Sequence, residues 1–282
     1  MKRILAAFIL SSLLLFSSCA EAALISEAVS EEIIYKTVDG IELGLEILSP
    51  TSNVKRSSPA VIVLHGGGWV SGSREDFTRD FEPLCDFLRD EGIAVISVSY
   101  RLAGASSSWR NCLDDCEDAL SYVIENSKRL GIDPENIGMI GYSAGGQLAL
   151  MTAIETREQV KYCVSMSSPT CFSTDPASIF YSDTLNYYID LIFKESDYIE
   201  MYQASPIIRI NRKCRTEFLL ISGTDDIVVN PNHAERFMNE IETFGITAEL
   251  LEIEGLTHSY TSLNDFEKLC AEIANKTADK LK

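Results

Sequence analysis

One run, Ala60 to Leu64 (AVIVL), is apolar at every position and ends abruptly in the glycine-rich HGGGW of residues 65–69. A strand with no polar alternation is covered on both faces, which is the signature of a parallel sheet packed between two layers of helices. The same arrangement recurs along the chain. Further strands read at Ile41 to Leu48, Ile93 to Val98, Ile137 to Ile140, Val160 to Met166, Phe218 to Ser222 and Ala248 to Ile253. Between them lie helical spacings: one around Phe81, Leu84, Phe87 and Leu88, closed by Gly92, and a long one from Asn111 to Leu130. The long helix turns Leu113, Leu120, Val123 and Ile124 inward, stops at Gly131, and is followed by a turn at Asp133-Pro134. Others follow Ser143 and occupy 233–244 and 263–281. This alternation predicts an α/β fold with a mostly parallel sheet and helices on both faces. The stretch 170–211, rich in Tyr, Phe, Ile and Asp, breaks the rhythm. It reads as an insertion over the carboxyl edge of the sheet, where open α/β sheets bind ligands.

The 282 residues suffice for one large domain, assigned to 23–282. Residues 1–22 read as a signal peptide: Lys2 and Arg3, a short apolar core from Ile4 to Phe16, and Ala20-Glu21-Ala22 as an A-x-A cleavage site. The apolar run is too short to span a bilayer. The expected address is therefore export, to the periplasm or beyond. Phe16-Ser17-Ser18-Cys19 offers an alternative, a lipoprotein anchored through Cys19. The net charge of −18 argues against nucleic acid or an anionic membrane surface as partner. After Ala22 seven cysteines remain, an odd number that leaves at least one thiol unpaired. With three histidines in the chain and no thiol–imidazole clustering, neither a zinc site nor any other metal or cofactor is implied.

Gly141-Tyr142-Ser143-Ala144-Gly145 stands where the strand Ile137 to Ile140 gives way to a helix. G-x-S-x-G in that context is a nucleophile elbow: the turn is so tight that only glycine fits two residues either side, and the serine is lifted above the sheet. The start of the next helix then faces developing negative charge. The oxyanion of an acyl-transfer intermediate needs fixed N–H donors. Gly67 and Gly68 of HGGGW, with Ala144, are the candidates. His65 reads as an organiser of that loop, and Trp69 and Tyr142 as substrate-binding side chains. Of the other two histidines, His233 falls in an amphipathic helix and reads as a solvated surface residue. His258, in EGLTHSY after the final strand, is placed to act as base. SGTDDIVV (222–229) supplies Asp225 and Asp226 after its own strand, and Asp226 is the favoured acid.

From about residue 33 onward the sequence resembles the α/β-hydrolase superfamily, in the esterase/lipase group that includes hormone-sensitive-lipase-like, carbohydrate-esterase and kynurenine-formamidase-like enzymes. The resemblance is carried by HGGGW (65–69), SVSYRL (97–102), LGIDPENIGMIGYSAGGQLAL (130–150), ASP (204–206), SGTDDIVV (222–229) and EGLTH (254–258). It implies Ser143 as nucleophile, Asp226 as acid, His258 as base, and an oxyanion hole at Gly67, Gly68 and Ala144. Tyr142 departs from the GDSAGG of many lipase-like members and shifts weight to the carbohydrate-esterase and formamidase-like branch. The expected activity is that of a serine carboxylesterase on small or medium acyl esters, including carbohydrate-linked acetyl or feruloyl esters. The alternatives are an arylformamidase-type amide hydrolase and, more distantly, a non-catalytic binding protein of the same fold.

Overall fold

AVIVL becomes the centre of an eight-stranded sheet in the computed structural model, which describes residues 30–51, 57–104, 107–193 and 198–282. The signal-peptide reading and Cys19 lie outside the described residues. The strands are β1 (Ser30–Val38), β2 (Ile41–Leu48), β3 (Ser58–Leu64), β4 (Ala94–Val98), β5 (Ile132–Tyr142), β6 (Tyr162–Met166), β7 (Glu217–Gly223) and β8 (Ala248–Ile253). They lie in the order β1-β2-β4-β3-β5-β6-β7-β8. β2 is antiparallel to β1 and β4, and every pairing from β4 to β8 is parallel.

The helices are α1 (Arg74–Asp80), α2 (Glu82–Asp90), α3 (Trp109–Glu125), α4 (Ser127–Leu130), α5 (Ala144–Thr156), α6 (Asp183–Ile192), α7 (Tyr198–Ala204), α8 (Pro206–Arg209), α9 (Asn232–Thr243) and α10 (Phe266–Leu281). Alternate residues of β3 feed two separate cores. Ala60, Ile62 and Leu64 pack with α3, α5 and α9, whereas Val61 and Val63 pack with α1, α2 and α10. Each fully buried Val, Ile or Leu of the run contributes roughly 1.5–3 kcal/mol, which explains why the run is apolar throughout.

Three local expectations are revised. β1 was not anticipated: it is an edge strand whose residues are mostly exposed, so it carries no apolar period, and Asp39 and Gly40 (φ 51 and 78) turn it tightly into β2. Asp133-Pro134 does not open a free turn. Ile132 already pairs with Ser58, and the register shifts before Ala60 meets Ile137, so the proline sits in an irregular stretch of β5. The long helix is interrupted at Asn126, whose side-chain amide donates to the Tyr122 carbonyl at 2.9 Å.

At the β1 edge one carboxylate ties three elements together. Asp115 of α3 is fully buried and accepts from Arg101 Nε and Nη2 at 2.7 and 2.8 Å, from the Arg101 backbone N–H at 2.9 Å, and from Lys36 Nζ at 2.5 Å. Burial works to raise its carboxyl, but the bonds from Arg101 and Lys36 outweigh that and hold it below the ordinary range.

Seven cysteines, at 85, 112, 116, 163, 171, 214 and 270, are free thiols, and all but Cys171 are buried. Burial pushes Cys85, Cys112 and Cys270 up to about 12, so they behave as small apolar groups. Among the described residues no group of three or more His, Cys, Asp or Glu could hold a metal ion, and no helix is long and apolar enough to cross a membrane.

Candidate active site

Ser143 sits between β5 and α5 with φ 54 and ψ −121, a conformation that a non-glycine residue adopts only where its surroundings force it. Its N–H donates to the Met166 carbonyl at 2.8 Å, and its own carbonyl accepts from Gly146 and Gln147. The flanking glycines are required by contact rather than by dihedral. A Cβ on Gly141 would lie 2.2 Å from the Gly145 oxygen, and one on Gly145 would lie 2.3 Å from the carbonyl oxygens of both Leu64 and His65. The second contact presses the start of α5 onto the end of β3. It therefore brings Ser143 beside HGGGW.

The three triad candidates meet. His258 follows β8 in a loop at the carboxyl edge, and Asp226 follows β7 at the same edge. A carboxylate can only accept, so His258 Nδ1–H donates to Asp226 Oδ2 at 2.8 Å, which leaves Nε2 to accept from Ser143 Oγ at 3.0 Å. The Asp226 side chain is fully buried, and its other oxygen accepts from the N–H groups of Val228 and Val229, both at 2.9 Å. Asp225, by contrast, is exposed and meets Thr224 at its surface, so the structure brings Asp226 and not Asp225 to the imidazole.

Gly67 and Gly68 have φ of 115 and 59, values a side chain would resist, and both line the cleft beside Ser143. Ala144 is the first residue of α5, so its N–H has no intrahelical partner. His65 is buried within the loop. Its Nδ1–H donates to the Gly66 carbonyl at 2.7 Å, its ring stacks on Tyr100 at 4.3 Å, and its carbonyl accepts from the Tyr100 hydroxyl at 2.8 Å. Burial lowers the affinity of the ring for a proton. It organises the loop and does not approach the serine–imidazole pair.

The two residues expected to bind substrate are placed differently from each other. Trp69 lines the cleft, but its indole is 2% exposed and donates Nε1–H to Gln147 Oε1 at 3.0 Å. Gln147 in turn donates to the Ala204 carbonyl, tying α5 to the inserted segment. Tyr142 also lines the cleft, with its hydroxyl turned to the His258 main chain at 2.6 Å. The cleft has a volume of about 190 Å³, and its far wall is Leu185 and Tyr188 of α6 with Val228 and Val229. Gln147 lies within the run 130–150 but is given no role by the sequence reading, and the α6 residues lie in 170–203, which matches no recognisable pattern. As expected, the 170–211 segment covers the carboxyl edge.

His233 is not a surface residue. It is 1% exposed, because the inserted segment folds over the first turn of α9. The Thr170 N–H donates to Nδ1 and Nε2–H donates to the Phe180 carbonyl, both at 3.1 Å. Burial drops its pKa from 6.5 to about 4. The folded state therefore requires neutral His233, while the unfolded chain takes up the proton near 6.5. Stability is full above 6.5 and falls as the pH drops towards 4, by about 3 kcal/mol in all at 1.36 kcal/mol per pH unit. Urea unfolding at pH 7 and pH 4.5 measures this, and His233→Gln, which keeps an acceptor and a donor, is expected to reduce the difference.

The BD-FAE family model matches residues 45–241, about seven-tenths of the chain. Ethyl acetate hydrolase of Pseudomonas putida is 25% identical over 242 residues, covering 79% of this chain and 73% of that protein. Arylesterase of Saccharolobus solfataricus is 32% identical over 145 residues, 48% of this chain and 44% of that protein. Among solved structures, a Pyrobaculum calidifontis esterase superposes with a TM-score of 0.77 at 25% identity, over 89% of this chain and 85% of that one. With a family match over more than half of its length and these likenesses in sequence and fold, the chain belongs to the BD-FAE family and is an α/β-hydrolase of the esterase type.

Proposed function

We propose that the protein is an exported serine carboxylesterase that cleaves small or medium acyl esters through an acyl-enzyme at Ser143. The observation that carries this reading is the continuous relay from Ser143 Oγ to His258 Nε2 and from Nδ1 to Asp226, with bonds of 3.0 and 2.8 Å. In it, His258 takes the serine proton as Oγ attacks the acyl carbon, and buried Asp226 holds the tautomer and stabilises the imidazolium. The N–H groups of Gly67, Gly68 and Ala144 receive the oxyanion. His258 then returns the proton to the departing alcohol, and water releases the acyl group by the reverse sequence.

The cleft, about 190 Å³, is smaller than the roughly 300 Å³ at which drug-sized pockets begin. Its wall of Leu185, Tyr188, Val228 and Val229 suits a short acyl chain, in keeping with the name of the ethyl acetate hydrolase relative. Export, read from residues 1–22, supports carbohydrate-linked esters, acetyl or feruloyl, as candidate substrates.

A fluorophosphonate probe and a substrate panel test the proposal. The wild type is expected to be labelled at Ser143, to hydrolyse p-nitrophenyl acetate and butyrate faster than octanoate, and to release acetate from acetylated xylan. An unlabelled wild type, or equal labelling of Ser143→Ala, would refute the mechanism. Turnover of N-formylkynurenine above that of every ester would assign the site to amide hydrolysis instead.

A further inference from the structure

Tyr142 is the least explained residue of the elbow. It is the last residue of β5 and directly precedes Ser143. The hydroxyl crosses to the opposite side of the site and donates to the main-chain carbonyl of His258 at 2.6 Å. The ring is held on several sides. Phe81 and Tyr260 meet it edge-on, with centroids 5.3 and 5.7 Å away, and the His258 ring lies at 5.2 Å. Gly66 of the glycine-rich loop packs so closely that a Cβ there would lie 3.0 Å from the Tyr142 ring. One side chain thus touches the base loop and the glycine-rich loop while being covalently joined to the serine.

The base loop has need of such a tie. His258 lies between the end of β8 and the short 3₁₀ turn Tyr260–Ser262, outside any strand or α-helix. The bond to Asp226 fixes one ring nitrogen, but an imidazole can pivot about that bond if its main chain shifts. Thr257 and Ser262 hydroxyls bond the Ser259 main chain within the loop, the Tyr142 hydroxyl bonds the main chain of His258 itself from outside, and the Tyr260 side chain meets Ser167 Oγ at 3.2 Å. Phenylalanine at 142 would fill the same space and lose the restraint at His258. Burial pushes the Tyr142 phenol upward, so it stays a donor at any pH the enzyme meets.

We infer that Tyr142 is a positioning residue for the base: its hydroxyl pins the His258 main chain so that Nε2 stays within reach of Ser143 Oγ. This rests on the Ser143–His258 reading above. It adds to the expectation that Tyr142 binds substrate: the side chain lines the cleft, while its hydroxyl spends its proton on the protein.

The test is Tyr142→Phe, assayed on ethyl acetate and p-nitrophenyl acetate, with thermal unfolding and fluorophosphonate labelling measured in parallel. The two substrates deliver the same acyl group, but ethoxide must be protonated by the base as it leaves and p-nitrophenolate need not be. A misplaced imidazole therefore lowers kcat/KM for ethyl acetate by about tenfold and for the nitrophenyl ester by less. KM is expected to stay within about twofold, labelling of Ser143 to slow, and the unfolding midpoint to fall by no more than a few degrees. Equal labelling rates with wild-type turnover would overturn the inference. So would a loss confined to KM and dependent on acyl length, which is the mark of a substrate contact, or equal losses on both esters that track the unfolded fraction. If the wild type is not labelled at all, the triad reading itself fails and this inference with it. A labelled wild type with an indifferent Tyr142→Phe variant sinks the positioning role alone.

Discussion

Ser143→Ala is expected to lower kcat on a short-chain ester by roughly six orders of magnitude, with His258→Ala costing about as much and Asp226→Asn about 10⁴-fold. The three are not independent. Oγ is a poor nucleophile until Nε2 accepts its proton, and Nε2 is an acceptor only while Asp226 holds the proton on Nδ1. The double variant Ser143→Ala/His258→Ala should therefore be no slower than either single one, with a residual acceleration of roughly 10³ over water from the backbone donors of the glycine-rich loop and Ala144. Pre-steady-state assays on the four variants measure this. Losses that multiply in the double variant would mean that the two residues act in separate steps.

Asp115→Ala is expected to destabilise the fold by about 3 kcal/mol, at the lower end of the range for breaking a buried pair. The figure is modest because the partners retain some solvent: the side chains of Arg101 and Lys36 are 11% and 20% exposed. Loss of the carboxylate strands a guanidinium whose Nε and Nη2 both bond to it. Asp115→Asn should cost less, since the amide oxygen keeps one acceptor. The carboxyl is held below its ordinary 3.8, so the stabilisation is complete above that value and disappears as the pH falls through the folded-state pKa. Denaturant midpoints of the wild type and both variants at pH 7 and pH 3 check size and sign.

Residues under strong local constraint were legible in the sequence. AVIVL announced a strand covered on both faces because both cores need a side chain from it. Glycines 141 and 145 announced the elbow because the backbone there admits no Cβ. His258 and Asp226 each followed a strand of a parallel sheet, which delivers them to one edge, so their meeting was implied by topology before any distance was known. The unforeseen features depend on contacts between distant segments. β1 lacks an apolar period because it lies at an edge, held by pairing with β2 and by Lys36. His233 sits on an amphipathic helix whose polar-looking start is buried only because the 170–211 segment closes over it. The Tyr142 hydroxyl bond spans more than a hundred residues, and no motif encodes it.

The contact between α6 and the glycine-rich loop bears on how such an enzyme can change. A Cβ on Gly68 would lie 2.1 Å from the Tyr188 ring, so that ring rests directly on the backbone of the loop while also forming the far wall of the cleft. Enlarging the cleft by shortening Tyr188 also takes away the support of Gly68. On the proposed esterase reading, acceptance of longer acyl groups and speed on short ones are expected to be linked through this one side chain. A lineage diversifying its diet at this position would trade rate for breadth until a second substitution restored the prop.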